Sequence, residues 1–264
     1  MAIIFTIKIT ESLAHNLQAL LDAPIIELDV IDSTNNYAMR LIDADTAQAG
    51  LTVVARQQTD GKGQRGKSWQ DMPGESLLCS VIVYPERAIE EQFVFNANTA
   101  VAIAEVLSGL YENWDVRIKW PNDIIINDKK AGGVLIENVL RGSNWSFSII
   151  GLGLNVGQTE FPGALPFATS LRLGSGKNFS TAELLRRIRE EIFRRSIVVR
   201  PAEEVMEEYN SYLYRRGHEQ GFTDGSQEWR AIIKSAGSNG KLTVQLADGS
   251  VLHYNHGAAI WKWE

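Results

Sequence analysis

The sequence predicts an α/β domain followed by a small β-barrel. Over about the first 215 residues, apolar runs of strand length alternate with stretches of helical periodicity. From about Gly217 the pattern changes to short alternating segments separated by turn sequences. The 264 residues, 44% of them hydrophobic, are enough for one large domain with a small one appended. We therefore predict two domains, at residues 1–216 and 217–264.

The first elements are marked by clear start and stop signals. Leucines at helical spacing predict a short amphipathic helix over 11–21, which Pro24 ends. A strand follows at 25–31, and Ser33 or Thr34 can cap a helix that runs to about residue 42. Apolar runs predict further strands at 51–55, 76–84, 116–120, 123–127, 131–140 and 145–156. Helical periodicity predicts helices at 90–113, 181–195 and 201–215.

The tail has the pattern of an antiparallel β-structure. Alternating segments predict strands at 228–235, 241–247, 250–254 and 258–263. Gly-Ser-Asn-Gly and Asp248-Gly249 lie between them as hairpin turns. Short strands joined by such turns are typical of a small barrel.

Composition and charge exclude several classes of protein. The net charge of −6 argues against a general nucleic-acid binder, which usually carries a basic surplus. The single cysteine, Cys79, excludes an internal disulfide framework and suits a reducing compartment; we interpret it as a buried strand residue. The N-terminus lacks the features of a signal peptide, and no apolar run reaches the ~20 residues that span a bilayer. The sequence therefore predicts a cytoplasmic protein without a membrane partner.

The glycine-containing stretch GKGQRGKS at 61–68 matches both a P-loop pattern and a dinucleotide-binding pattern. Both patterns require a helix directly after the loop, since its N-terminus holds the phosphate. Here Trp69, Pro73 and Gly74 follow, and then an apolar strand, so neither reading fits. The stretch is nevertheless rich in cations: Arg56, Lys62, Arg65 and Lys67. The residues alone leave two interpretations open, an anion-binding loop and a solvated surface loop.

KWPND at 119–123 is the strongest local signal. Apolar strands flank it, so its polar groups are expected at a strand end, with Pro121 restricting the backbone. Lys130 follows seven residues after Asp123, and Gly132 and Gly133 would let a ligand approach closely. A turn with solvated lysines is the alternative, although it does not account for Trp-Pro-Asn-Asp.

Five segments in this order resemble the biotin protein ligase family. They are DSTN at 32–35, QTDGKGQRGKSW at 58–69, KWPND at 119–123, KKAGGVLIE at 129–137 and GLGLN at 151–155. The resemblance runs from about residue 25 to the C-terminus. It implies a mixed sheet flanked by helices, the class II synthetase-like catalytic fold, followed by an SH3-like barrel.

The resemblance also implies roles for individual residues. It places these residues around biotin: Ser33, Thr34, Asn35, Gln58, Gly61, Lys62, Gly63, Gln64, Lys130, Gly132 and Gly133. It places these around the nucleotide: Arg65, Gly66, Trp69, Asn122, Lys130 and Asn155. Lys130, Lys62 and Asp123 would be catalytic, and Asp123 would hold magnesium.

The implied reaction activates biotin with ATP and Mg²⁺ to biotinyl-5′-AMP, without a tightly bound organic cofactor. The biotinyl group would then pass to a lysine of the biotin carboxyl carrier protein of acetyl-CoA carboxylase. A lipoate–protein ligase and a non-catalytic biotin-binding regulatory module are alternatives, and a P-loop ATPase is a remote third. Both a monomer and a homodimer are compatible with the sequence.

Two departures from the family pattern matter. The usual loop reads G-R-G-R-x-G, whereas Lys62 and Gln64 stand here in place of the two arginines. Lysine keeps the charge but not the bidentate fork, and glutamine keeps only hydrogen bonding, so retention of the adenylate is in question. Only about 24 residues precede the catalytic region, too few for the helix-turn-helix domain of some relatives. We therefore expect no operator-binding activity and no nucleic-acid partner.

Overall fold

The computed structural model describes residues 11–263. Its helices are α1 (Glu11–Leu21), α2 (Thr34–Asp43), α3 (Gln92–Ser108), α4 (Leu171–Ser175), α5 (Thr181–Ile197) and α6 (Ala202–Tyr212). Its strands are β1 (Ile25–Ile31), β2 (Thr52–Gln58), β3 (Ser76–Val83), β4 (Val116–Lys119), β5 (Asp123–Ile126), β6 (Lys129–Arg141), β7 (Asn144–Asn155), β8 (Glu219–Thr223), β9 (Glu228–Ala236), β10 (Leu242–Gln245), β11 (Val251–Tyr254) and β12 (Ile260–Trp261). None of the helices in this range is long and apolar enough to cross a bilayer.

The larger sheet of the described chain has seven strands in the order β1-β2-β3-β7-β6-β5-β4. The β1–β2 pair is parallel and the other pairs are antiparallel, so the sheet is mixed, as the resemblance implied. β3 is buried along its whole length, which accounts for its unbroken apolar sequence. Cys79 and Val81 of β3 pack into the cluster that contains α3, whereas Ile82 packs against α2. Helices therefore cover both faces of the sheet.

Helix α3 is apolar on all sides because it lies in the centre of the core, against α5, α6 and β4. The arginine-rich helix α5 is exposed to solvent on only part of its surface. Arg186 and Arg187 form exposed ion pairs with Glu183, but Arg195 is buried and forms ion pairs with Glu105, Glu191 and Glu208. These pairs connect α5 to α3 and α6.

The C-terminal strands form a second sheet, antiparallel throughout, in the order β11-β10-β9-β8-β12. This confirms the small β-structure after the α/β part; its closure into a barrel stays a prediction, with β11 and β12 at the two edges. One apolar core continues through both parts, and Trp120 Nε1 donates to the carbonyl of Gly240 at 3.2 Å. The boundary between residues 216 and 217 also stays a prediction.

Most predicted elements are present, with differences at their ends. The helix expected over 90–113 begins at Gln92 and ends at Ser108, and a turn follows at Gly109. Ser33 is the N-cap residue of α2 by position, but its side chain makes no capping hydrogen bond. The sequence analysis missed α4 and β8, because each is only five residues long and lacks a periodic apolar pattern. As predicted, Cys79 is buried in a strand, and burial raises the pKa of its thiol to about 12.

Candidate active site

A cavity of about 570 Å³ lies where the large sheet meets the C-terminal sheet. Its walls come from the start of α2, the loop 62–69, the β4–β5 turn, β6, β7 and the chain from residue 256 to 263. It is lined by five lysine and arginine side chains and one carboxylate: Lys62, Arg65, Lys67, Lys119, Lys130 and Asp123. In a chain with a net charge of −6, this concentration of positive charge marks a site for an anion.

Buried hydroxyl and amide groups also line the cavity, and we call the region that they form its polar end. Ser33, Thr34 and Asn35 stand at the N-terminus of α2, where the chain leaves β1, and all three are buried. The backbone N–H of Thr34, the first residue of α2, donates to Oε1 of Gln58 at 2.8 Å and so positions the Gln58 side chain at the end of β2. A Cβ atom on Gly151 would overlap Oδ1 of Asn35; the first glycine of GLGLN therefore leaves room for that amide.

Lys130 and Asp123 form an ion pair in the lining of the cavity. Lys130 Nζ lies 2.7 Å from Asp123 Oδ1, and both side chains are about one-third exposed, so a ligand can reach them. The backbone of Lys130 is held on both sides, because its N–H donates to Phe167 O at 2.7 Å and its carbonyl accepts from Thr169 N at 2.9 Å. The sequence analysis had placed both residues in the site, and the structure brings them together.

Lys119 is a site residue that the sequence analysis did not assign. It ends β4, is 5% exposed, and its Nζ lies 3.6 Å from the ring centre of Trp263 and donates to the carbonyl of Trp261 at 3.3 Å. Burial lowers the pKa of its ammonium from 10.5 to about 7; the nearby Asp123 opposes the shift, and Lys130 and Lys67 add to it. The aromatic partners favour the charged form. Lys119 begins the KWPND segment, but nothing in the sequence indicated that Trp261 and Trp263, near the chain end, would cover it.

Hydrogen bonds hold the loop after Gly61, both within the loop and to the C-terminal part of the chain. Gly63 N donates to Lys67 O at 2.6 Å, and Trp69 N donates to Gly61 O at 2.8 Å. Arg65 has a left-handed backbone, with φ of 56°, and its Nη1 donates to the carbonyl of His256 at 2.7 Å. Burial and the adjacent Arg65 lower the pKa of the His256 imidazole. From Lys67 to Glu75 the chain contains no helix, as predicted, so the loop lacks the following helix that a P-loop requires.

Trp69 lies on a surface made by glycines. A Cβ atom on Gly153 would stand 2.6 Å from Cε2 of its indole, and one on Gly133 would stand 3.6 Å from Cζ3. Lys130 Nζ lies 5.9 Å from the centre of the indole. Glycines on β6 and β7 therefore let Trp69 lie flat against the sheet, next to the charged groups.

Several predicted residues lie elsewhere or are already engaged. These do not line the cavity: Gly61, Gly66, Gly132 and Asn155. Asn155 donates to the carbonyl of Thr169 at 3.0 Å and accepts from Gln158 Nε2 at 3.3 Å. Asn122 lines the cavity, but its amide nitrogen donates to the carbonyl of Val134 across the β5–β6 pair. The contacts that the resemblance implied for these residues stay predictions.

Asp123 is the only carboxylate among the residues that line the cavity, and the described chain holds no group of three metal-ligating side chains. Magnesium is commonly bound by one or two carboxylates together with substrate phosphates. One carboxylate beside a polyphosphate-sized cationic site therefore fits a magnesium ion that arrives with a nucleotide. It does not fit an all-protein metal cage.

Comparison with known proteins agrees with this geometry. Residues 27–155 match the model of the Biotin/lipoate A/B protein ligase family. The chain is 35% identical over 170 residues to the bifunctional ligase/repressor BirA of Bacillus spizizenii, a match that covers 62% of this chain and 51% of that protein. The chain thus spans about half the length of this curated relative.

Solved biotin protein ligases share the fold. The enzyme from Aquifex aeolicus, in complex with biotin and ATP, superposes with a TM-score of 0.73 at 24% identity over 91% of this chain and 99% of that one. The enzyme from Leishmania major, in complex with biotinyl-5-AMP, superposes with a TM-score of 0.57 at 27% identity over 88% and 98%. The matched segments, the fold and the cavity together show that residues 27–155 form a domain of the Biotin/lipoate A/B protein ligase family.

Proposed function

We propose that this protein activates biotin with ATP to biotinyl-5′-AMP and transfers the biotinyl group to a lysine of a carrier protein. One observation carries the proposal. A single cavity is lined both by buried hydroxyl and amide groups and by lysine and arginine side chains with one carboxylate. The first set of groups suits a cyclic urea, and the second suits a carboxylate next to a triphosphate.

In the first step an oxygen of the biotin carboxylate attacks the α-phosphorus of ATP. The bond from this phosphorus to the bridging oxygen breaks, and pyrophosphate leaves with the electron pair. Two anions must approach each other, so cations aimed at the reacting groups lower the barrier. Lys130 can be reached by a ligand, and Lys67 also lines the cavity. The attacking group belongs to the substrate, so no protein nucleophile is required.

In the second step the neutral amine of the carrier lysine attacks the carbonyl carbon of the mixed anhydride. AMP leaves, and the new amide nitrogen loses a proton to solvent. Water must be kept from the anhydride between the steps. The loop 61–69, held by its own hydrogen bonds and by Arg65, is positioned to cover the ligand. A magnesium ion held by Asp123 and the phosphates would supply further positive charge.

Biotin suits the polar end of the cavity better than lipoate does. The dithiolane ring of lipoate has no N–H and no carbonyl, so Thr34 Oγ1 and Gln58 Nε2 would face it without a hydrogen-bond partner from the ligand. A site built to bond polar groups rejects a ligand that lacks them. Isothermal titration with each acid tests this point: we expect binding of biotin and no measurable binding of lipoate.

Turnover separates a ligase from a non-catalytic biotin-binding module. The biotin carboxyl carrier protein of acetyl-CoA carboxylase is the carrier that the family resemblance implies. We expect the protein, with ATP, magnesium and biotin, to increase the mass of this carrier domain by one biotinyl group. Tight biotin binding without a mass increase would favour the regulatory module, and ATP hydrolysis in the absence of biotin would favour an ATPase.

A further inference from the structure

A chain of hydrogen bonds continues from the polar end of the cavity into the sheet. Glu137 Oε2 accepts from Asn35 Nδ2 at 2.7 Å. Ser80 Oγ lies 2.6 Å from Asn35 Oδ1 and 2.8 Å from Thr34 Oγ1. Ser80 is fully buried, Asn35 and Thr34 are nearly so, and neither Ser80 nor Glu137 lines the cavity. These contacts connect a carboxylate behind the pocket to groups that face the ligand.

The carboxylate determines where each proton in the chain lies. An ionised carboxylate only accepts, so Glu137 fixes the amide of Asn35 with its nitrogen toward Glu137 and its oxygen toward Ser80. An amide oxygen cannot donate, so the single proton of Ser80 points to Asn35. The contact between Ser80 and Thr34 then requires the proton of Thr34. The hydroxyl of Thr34 is therefore left as an acceptor toward the cavity.

Gln58 presents a hydrogen-bond donor to the cavity, whereas Thr34 presents an acceptor. Its Oε1 accepts the backbone N–H of Thr34 at 2.8 Å, so its Nε2 lies on the other side of the amide, near Gly61, and can donate to a ligand. The two hydroxyl protons of Ser80 and Thr34 can fill only two of the three oxygen–oxygen contacts. The contact between Thr34 Oγ1 and Gln58 Oε1, at 3.2 Å, is the longest of the three, so we assign no proton to it. The cavity thus offers one acceptor and one donor side by side.

The sheet leaves room for this series of hydrogen bonds. Ser80, Gly151 and Leu135 stand in one cross-strand row of β3, β7 and β6. Asn35 lies over the middle of the row, where Gly151 has no side chain, and also donates to the carbonyl of Leu135 at 3.3 Å. The backbone therefore holds Asn35 where it bridges Ser80 and Glu137.

We propose that Glu137 and Ser80 are positioning residues that set the donor and acceptor polarity of the pocket, and through it the preference for a urea. This rests on the proposed function, since a cyclic urea presents an N–H for Thr34 and a carbonyl for Gln58. The two residues touch no ligand. They act through Asn35 and Thr34.

The test compares the affinities of biotin and 2-iminobiotin, in which a hydrogen-donating nitrogen replaces the urea oxygen. Isothermal titration gives the ratio of the two dissociation constants for each protein. We expect wild type to prefer biotin strongly, and Glu137→Gln and Ser80→Ala each to reduce the ratio about tenfold, which corresponds to the loss of one oriented hydrogen bond. The ratio compares two ligands on one folded protein, so a change in stability alone does not alter it.

Ser148→Ala is the matched control. Ser148 is also a fully buried serine of the sheet, and it donates to Asn138 Oδ1 at 2.9 Å. It neither lines the cavity nor takes part in the hydrogen bonds that link Glu137 to Thr34. Its ratio should equal that of wild type. Unchanged ratios in Ser80→Ala and in folded Glu137→Gln would overturn the inference while biotin binding by wild type stands. Absence of biotin binding in wild type would instead refute the proposed function.

Discussion

The guanidinium of Arg65 lies over Gly257, in the space that a side chain at position 257 would fill. The two residues belong to the loop 61–69 and to the C-terminal sheet region, and Arg65 Nη1 also donates to the carbonyl of His256. The C-terminal part therefore helps to hold the loop that covers the cavity. This relationship gives a glycine far from the reacting atoms a role in the site.

Gly257→Ala should displace Arg65 and lower the rate of biotin-dependent pyrophosphate–ATP exchange. Gly249→Ala is the control, since both glycines have a positive φ, 81° and 87°, but only Gly257 has Arg65 against it. A left-handed alanine costs roughly 1–2 kcal/mol at either position. We expect both variants to lose similar stability and only Gly257→Ala to lose exchange. In an Arg65→Ala background the difference in exchange should vanish; if it persists, Arg65 is not the link.

Lys130→Ala should abolish most of the pyrophosphate–ATP exchange that depends on biotin. Lys130 supplies positive charge at the centre of the cavity, and loss of one such preorganised group typically costs about 10²–10³ in rate. Lys129→Ala is the matched control, because Lys129 is exposed and does not line the cavity. Near-wild-type exchange in Lys130→Ala would remove this residue from the mechanism.

Lys119 should make stability depend on pH. Burial lowers the pKa of its ammonium from 10.5 to about 7. Between these values the unfolded chain holds the proton and the folded chain does not, so the free energy of unfolding rises with pH in this window. Lys119→Met removes the titrating group, and urea denaturation from about pH 7 to about pH 8.5 should show a smaller rise in the variant. An equal rise in both proteins would mean that the lysine is charged in the folded state throughout this window.

Gly153→Ala should destabilise the protein and disturb Trp69. The added Cβ would stand 2.6 Å from the indole, and overpacking of this kind costs about 1–3 kcal/mol. Gly163→Ala is the control, since nothing lies within 4 Å of its added Cβ. Thermal unfolding and tryptophan fluorescence should change in the first variant and remain unchanged in the second. Equal effects in the two variants would show that the close packing of Trp69 against Gly153 does not contribute to stability.

Gln64→Arg should slow release of the adenylate. Gln64 lines the cavity and is uncharged, whereas biotinyl-5′-AMP carries a phosphate anion that an arginine can pair with two hydrogen bonds. The dissociation rate of the adenylate, measured by chase with excess biotin, should fall about tenfold, which corresponds to ~1.4 kcal/mol. An unchanged rate would mean that position 64 does not face the phosphate.

The amino-acid sequence by itself determined the succession of elements and the grouping of Lys130, Asp123, Thr34 and Gln58 around one site. Periodicity and glycine or proline stops report local structure, and the five segments report the family. Asn155 shows the limit: its nucleotide contact stays a prediction, and nothing in the segment GLGLN indicated that its amide bonds to Thr169 and Gln158.

Only the tertiary structure decided which charged groups lose water and which glycines make room for side chains. Lys119 is buried because Trp261 and Trp263, more than 140 positions away, cover the end of β4. Glu137 acquires a role only because Gly151 lets Asn35 bridge it to Ser80. Burial and hydrogen-bond polarity depend on contacts between distant segments, and no local pattern encodes such contacts.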